Sequence, residues 1–486
     1  MKRCVLGVDM GSTNTKAIAS DLEGRQIAYA SRRTQMHSSR RGFYEYDLEE
    51  MWESALACLK EVAEQICDWE VCAIGVSSLG ETNVLADAEG KPLHRAIAWF
   101  DLRAAEQEKR VRALRSDREI YRRTGQFLSP KFGLCKLMWI LDSEPELLLR
   151  AKHFFSVEDF ILHRLSGAAA TDASIASRSL CYDIRKRQWD AELLSELGIP
   201  AGFFPEVLEG GSIAGTLLPE VARFCGLRSG IPVCTGGHDH ACALVASGAY
   251  GQYSVLDSMG TSETTICALK TPVDEAQGFA NGICCYPHFG QKPYRAITSM
   301  QACGASVEWF LRAFGAPEGD VYSSLFREAA SADALDTPIY VPYIRGLQEN
   351  SRAAGAFTGL KDAHERRHMI RALMEGLCFG LRDRLESYER TQHCRFDSLR
   401  VVGGLAQSEW FLTVKASALN RPLEAPACTE AAAMGAAMLA GRAVNAIALE
   451  DISVKVARRY DPDPALAEIY ARKYPEYLSA ARFVKQ

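Results

Sequence analysis

The sequence contains no C-x-x-C pair and no Cys/His cluster at zinc spacing, although it has 16 cysteines. That excludes a structural zinc module, and the scattered thiols do not read as a disulfide framework. No apolar stretch approaches the ~20 residues needed to span a bilayer. There is no large excess of charge of one sign: 56 Lys and Arg against 61 Asp and Glu give −5 over 486 residues. So small an imbalance argues against a protein that coats nucleic acid or an anionic membrane. The P-loop pattern G-x-x-x-x-G-K-[ST] is missing, and no G-x-G-x-x-G follows an opening strand, which sets aside a Walker-type NTPase and a dinucleotide oxidoreductase. Long linkers and low-complexity tracts are also missing. The stretch Met1 to Asp9 reaches a charge too soon for a signal peptide. The expectation is a cytoplasmic protein with reduced, mostly buried thiols and no nucleic-acid or membrane partner.

Apolar residues make up 48% and charged residues 24%, an ordinary globular balance. A chain of 486 residues exceeds one core and predicts two domains, or three. Cys4–Val8, Thr15–Ser20 and Gln26–Ser31 read as strands separated by turns at 10–14 and 21–24, an antiparallel meander. A helix follows, with Asp47 as its cap and Glu50 completing a capping box. Its apolar stripe runs Leu48, Met51, Trp52, Ala55, Leu59, Val62, Ala63 and Ile66. Val71–Ser77 then reads as a buried strand, and this order predicts an α/β architecture. The Ala-rich run Ala431–Ala440 predicts a tightly packed helix.

A weak internal repeat relates Cys4–Ala17 to Ser254–Ile266. Both read as strand, Met-Gly-Ser/Thr turn, strand, which predicts two similarly folded halves with a boundary near Ala246–Gln252. Gly11-Ser12-Thr13-Asn14, with Lys16 behind it, and Gly260-Thr261-Ser262 can both present backbone amides and hydroxyls to an anion. Each alone is also an ordinary tight turn. As a matched pair on opposite walls of a cleft they can hold the phosphates of a nucleotide. Gly236-Gly237-His238-Asp239 lies between a strand and a helix, so Asp239 can accept a proton from an attacking hydroxyl; it can equally be a helix cap. A metal site at His238-Asp239-His240 is disfavoured because residues at i and i+2 face opposite ways along a strand. Gly403-Gly404 through Ser408 follows another strand and allows a flat ring close to the backbone.

In this order the motifs resemble those of the FGGY carbohydrate kinases, the family of glycerol kinase, xylulokinase, ribulokinase and gluconate kinase, and the likeness covers essentially the whole chain. It includes Asp9–Thr13, Gly236–Asp239, Met259–Ser262 and Gly403–Trp410 with Asn420-Arg421-Pro422. Ala98–Arg103, Lys136–Ile140 and Val341-Pro342-Tyr343 with Gly346 are weaker likenesses. The resemblance implies two actin-like, ribonuclease H-type α/β domains flanking a catalytic cleft. Residues 1–246 would bind the sugar and carry the base, and residues 247–486 would bind the nucleotide. ATP and Mg²⁺ are the implied cofactors. Asp239 would be the base, with Asp9 and Asp239 near the metal. Gly11, Ser12, Thr13, Asn14 and Lys16 would surround the phosphates, opposite Gly260 and Thr261. Gly304, Glu308, Gly403, Gly404 and Ser408 would complete the nucleotide site.

Glu81, Thr82, Asp101, Lys131 and His240 fall at sugar-binding positions of the resemblance. Glycerol kinases show Asn-Gln-Arg-Glu-Thr where this chain has Ser78-Leu79-Gly80-Glu81-Thr82, so an expected Arg is replaced by Gly80. That is expected to leave room for a ketose or a longer polyol. Lys131 and His240 would suit an acidic substrate such as a sugar acid, but for Lys131 a simply solvated lysine is the favoured reading. A small-molecule sugar or polyol is the expected partner, and relatives allow a homodimer. The alternative is an actin-fold nucleotide-binding regulator without sugar kinase activity.

Overall fold

The computed structural model describes residues 2–39, 42–249, 254–317, 320–350, 352–428, 430–448 and 454–485. Two mixed sheets carry the architecture. The first contains β1 (Lys2–Met10), β2 (Asn14–Asp21), β3 (Gln26–Arg33), β4 (Trp69–Ser78), β5 (Ile213–Thr216) and β6 (Pro232–His238), in the order β5-β6-β4-β1-β2-β3. β1, β2 and β3 form the expected antiparallel meander, while β4 runs parallel to β1 and to β6. The second contains β7 (Ser254–Met259), β8 (Glu263–Leu269), β9 (Cys284–Pro287), β10 (Tyr294–Met300), β11 (Ser398–Gly403), β12 (Leu423–Pro426) and β13 (Val456–Tyr460). Its order is β9-β10-β8-β7-β11-β12-β13.

The repeat seen in the sequence is a repeat of topology. β1 pairs antiparallel with β2 and parallel with β4; β7 pairs antiparallel with β8 and parallel with β11. Each hairpin turn closes on its glycine amide, Gly11 N to Asn14 O at 3.1 Å and Gly260 N to Ser262 O at 2.9 Å. The boundary expected near Ala246–Gln252 falls partly on residues 250–252, which lie outside the described residues.

The first helix, α1 (Leu48–Gln65), buries the stripe read from its spacing as far as Val62; Ala63 is half-buried and Ile66 lies just past the helix end. Its cap differs from expectation. Asp47 accepts from the Glu49 amide, and Glu50 turns outward to meet His37 Nε2 at 2.8 Å. An available imidazole outcompetes the weak reciprocal bond of a capping box.

The halves are joined by close backbone approach. The Ala-rich helix α9 (Ala431–Ala443) belongs by sequence to the second half but lies against β1 and β4 of the first and along α5 (Asp239–Ala246). A Cβ on Gly7 would sit 1.9 Å from the Ala433 carbonyl oxygen, and one on Gly75 2.1 Å from that of Ala436. Gly435 faces the Cys242 carbonyl at 2.0 Å in the same sense. Small residues on both surfaces let helix and sheet meet with no side-chain layer between them.

Overpacking of such a contact costs about 1–3 kcal/mol. Gly435→Ala is therefore expected to lower the thermal midpoint by several degrees. Gly202→Ala, whose new Cβ meets no heavy atom within 4 Å, should leave it unchanged. Calorimetric scans of the two variants check this, and equal midpoints would contradict the close-packing account.

Candidate functional site

The strands β1, β4 and β6 end side by side. Asp9 pairs in register with Ser77, and His238 with Ser78. The C-terminal ends of parallel strands in an open α/β sheet are where ligands are usually met. Asp9 is buried and accepts from Ser77 Oγ at 3.1 Å. Burial first, and the charge of Asp239 second, push its carboxyl up to about 7. Lys16, the register partner of Asp9 on β2, reaches across to Glu430 Oε2 at 2.5 Å, just ahead of α9. Ser12 and Thr13 are exposed at the hairpin tip; Thr34 braces the turn by donating from its amide to Thr13 O and from its hydroxyl to Gly11 O, both at 2.9 Å.

Asp239 begins α5 where β6 ends, and its side chain keeps 31% exposure. The segment that delivers it is clamped. Glu158 Oε1 accepts from the Gly236 amide at 3.0 Å and the Gly237 amide at 2.8 Å; Ser174 Oγ accepts from the His238 amide at 2.9 Å. Ser174 is held in turn on the Asp172 carboxyl at 2.9 Å. Gly237 has φ +109, and a Cβ there would lie 2.5 Å from Asp172 Oδ2. Three successive amides are thus fixed by side chains that are themselves buried. Glu158 sits in the first turn of α4 (Val157–Ser166), and burial together with nearby Asp172 drives its carboxyl well above the usual range.

The expectation that His238 and His240 diverge is overturned. The chain passes from strand to helix between them, so neither regular periodicity applies, and the rings lie 5.0 Å apart at their centroids. Ligand atoms of His238, Asp239 and His240 all fall within 4.8 Å of one another. His238 Nδ1 is 3.1 Å from Asp239 Oδ1, and both accept from the His240 amide, at 3.2 and 2.6 Å. Burial, then the Arg178 charge, hold the His238 imidazole well below its ordinary value, so it is neutral.

The Gly80 reading also changes. The space beside Gly80 is filled, because a Cβ there would be 2.8 Å from His238 Cδ2 and 3.0 Å from Arg178 Cγ. Room for a larger substrate does not follow. Glu81 has φ +52 and is buried, its carboxylate bonded to Arg178 Nη2 with Lys131 Nζ 3.8 Å away. Burial raises the Glu81 carboxyl, but Arg178 and Lys131 outweigh it and leave it below the ordinary carboxylate range. Lys136, in α3 (Gly133–Ser143), donates to Glu81 O at 2.6 Å and Ala98 O at 2.7 Å, and its burial lowers the ammonium to about 7. Thr82 is fully buried, and its Oγ1 has no hydrogen-bond partner. Asp101 is engaged elsewhere. It accepts from the Tyr44 amide, the Arg103 amide and Arg103 Nη2, each at 2.8 Å. A carboxylate with this many donors braces its own loop and is not free to contact a substrate.

In the second half, Gly304 N donates to Gly260 O, and Cys303 N and Ala305 N to Thr261 O, all at 3.0 Å. The hairpin therefore rests on the start of α6 (Gly304–Phe314), where Glu308 is exposed one turn on. Gly403 pairs with Met259, and Gly403 and Gly404 are exposed. Ser408 instead caps α8 (Glu409–Leu419), its Oγ accepting from the Phe411 amide at 3.2 Å.

Three residues that hold the site together were not picked out from the sequence. Arg178 sits in a short 3₁₀ turn, Ser177–Ser179, with no periodicity to mark it. Glu158 lies between the capping pair Ser156 and Asp159 and looks like one more acid in a first helical turn. Lys415 is fully buried beneath the second hairpin, bonded to Asp257 Oδ2 at 2.5 Å, to Met259 Sδ at 3.0 Å and to Glu263. A lone lysine within the apolar helix 411–419 is the signal that marks it.

Residues 4–246 match the FGGY family of carbohydrate kinases, N-terminal domain, and residues 256–444 its C-terminal domain. The glycerol kinase of Geobacter sp. (strain M21) is 30% identical over 474 residues, covering 94% of each chain. That of Thermococcus onnurineus is 31% identical over 458 residues, covering 92% of this chain and 90% of the other. The crystal structure of xylulose kinase from Rhodospirillum rubrum superposes with a TM-score of 0.91 at 27% identity, over 99% of each chain. The chain belongs to the FGGY family of carbohydrate kinases, ATP-dependent phosphotransferases acting on hydroxyl groups, and has their actin-like ATPase fold.

Misplacing a reacting group by about 1 Å can reduce turnover about 10²-fold. Glu158→Leu removes the acceptor for two amides and is expected to lower kcat by that order, while Glu158→Gln, which keeps one carbonyl oxygen, recovers part of it. Steady-state kinetics alongside nucleotide titration check this; a Leu variant with native kcat would show that the clamp does not position Asp239.

Proposed function

We propose that this enzyme transfers the γ-phosphoryl group of ATP to a hydroxyl of a small sugar or polyol, with Asp239 as the base. One observation carries the reading. A partly exposed carboxylate stands at the junction of β6 and α5, its preceding amides clamped, beside a neutral imidazole and the buried Asp9. Asp239 takes the proton of the hydroxyl as the oxygen bonds to the γ-phosphorus; the bond to the bridging β–γ oxygen breaks and ADP leaves. Phosphoryl transfer needs alignment and charge neutralisation more than covalent help.

Residues 1–246 hold the sugar and the base in this reading, and residues 247–486 the nucleotide. Gly11, Ser12, Thr13, Asn14 and Lys16 face the phosphates from one wall, Gly260 and Thr261 from the other. Gly304, Glu308, Gly403 and Gly404 border the nucleoside, with Ser408 acting through its cap on α8. Glu81, Thr82, Lys131 and His240 line the sugar end. Mg²⁺ fits Asp9 and Asp239: two carboxylates close enough for one to raise the other are relieved by a cation. Bound there, it would supply charge neutralisation to the phosphates. No helix among the described residues is long and apolar enough to cross a membrane. A cytoplasmic homodimer completes the proposal.

Asp239→Asn keeps the shape and removes the base. A general base contributes about 10²–10⁴-fold, so kcat is expected to fall by at least that order while ATP binding persists. An ADP-release assay over ketoses, alditols and aldonates, with calorimetric nucleotide titration, checks this. Near-native turnover in the variant would refute the role of Asp239. A native enzyme whose ADP release ignored every sugar would favour a nucleotide-binding regulator.

A further inference from the structure

The sugar end of the site has more positive than negative charge, and the excess is buried. Glu81 is the carboxylate at its centre, and one ion pair with Arg178 already neutralises it. Lys131 Nζ lies 3.8 Å from the same carboxylate with no shorter carboxylate contact among the described residues. Arg178 and Arg295 both rest on the Tyr286 ring, at 4.6 and 5.3 Å from its centroid. Arg295 is completely buried; Nη1 donates to Pro287 O at 3.0 Å, while Nε and Nη2 have no hydrogen-bond partner. Arg178 Nε also has none. The carboxyl nearest to balancing Arg295 is Asp172, which already receives Ser174 Oγ and the Ile175 amide.

Burying guanidinium nitrogens without hydrogen-bond partners is costly, and Lys131 has only the carboxylate that Arg178 already engages. A neutral polyol can offer hydroxyl oxygens to these donors but no charge. A carboxylate offers both, and its planar pair of oxygens suits a guanidinium.

We infer that the substrate is an anionic polyol of the aldonic acid class, its carboxylate lying toward Lys131 and Arg178 and its reacting hydroxyl toward Asp239. The inference rests on the kinase reading above and narrows it. Glu81 then accepts from a substrate hydroxyl, while Lys131, partly exposed at 35% of its side chain, meets the carboxylate at the mouth of the site.

The test compares aldonates with alditols of the same carbon count and configuration, gluconate against sorbitol and ribonate against ribitol. It uses the full-length enzyme with ATP and Mg²⁺. The aldonate is expected to have the higher kcat/KM by at least about tenfold, and Lys131→Gln to lower that ratio at least about tenfold, chiefly through KM, with Lys131→Arg restoring it. Thermal shift without nucleotide provides a second readout: the aldonate should raise the melting temperature of the native enzyme and lose that effect in Lys131→Gln. Alditols or ketoses turned over as well as the aldonates would overturn the inference and leave the kinase reading standing. An aldonate that shifts the melting temperature but releases no ADP would support the pocket and count against the kinase reading. No shift and no turnover with any aldonate overturns the inference.

Discussion

The contact on which this molecule depends is the meeting of α9 with bare backbone on β1 and β4. Glycine at 7 and 75 lets the carbonyls of Ala433 and Ala436 come to positions where any side chain would collide. That contact inserts a helix of the second half into the first. It also sets where Glu430, the residue before α9, stands, and hence the 2.5 Å bridge to Lys16. Two hairpins encoded some 250 residues apart belong to halves that this helix locks together, because small residues on both surfaces allow it. A larger residue at 7 or 75 would push the helix outward and move a whole wall of the site, in the way that packed interiors transmit strain.

Within the cleft, many ionisable groups are structural supports. Glu158 and Asp172 are buried acids whose oxygens fix the backbone ahead of Asp239. Lys415 between Asp257 and Glu263 does the same under the second hairpin. Buried pairs of this kind add little net stability, since desolvation offsets their attraction. Removing one partner is a different matter, because it strands a charge. Their consequence is positional: each has one geometry in which its partners are satisfied, and that geometry sets the loop.

Regular periodicity made much of the fold legible. The meander, the buried strand after α1, the Ala-rich helix and the paired hairpins follow from apolar spacing and turn residues, and the repeat Met10-Gly11 and Met259-Gly260 carried the two-half organisation. What sequence could not show lies at breaks in periodicity or depends on distant contacts. His238 and His240 converge because the strand ends between them. Gly80 suggested empty space, yet His238 and Arg178, 158 and 98 positions further along, fill it. Asp101 had the right motif and the wrong availability, since a neighbouring arginine claims it. Spacing locates a side chain on a face but says nothing of which remote group has already used its lone pairs.

The charges in the cleft are arranged opposite to what binding a polyanion by side chains alone would require. Asp9, Asp239 and Glu430 cluster at what the proposal makes the phosphate end, where Lys16 is already paired with Glu430. In the proposed arrangement Lys131 and Arg295 lie at the sugar end, where Arg178 is paired with Glu81. In the proposed function the triphosphate is met by backbone amides at the exposed tips, Ser12 and Thr13 on one side and Gly260 and Thr261 on the other, acting as anion-binding concavities. A divalent cation that offsets the acidic pair is the natural complement to such amides. In the proposed mechanism a cation that relieves Asp9 stands beside the carboxylate proposed as the base, so nucleotide affinity and that carboxylate are tied together.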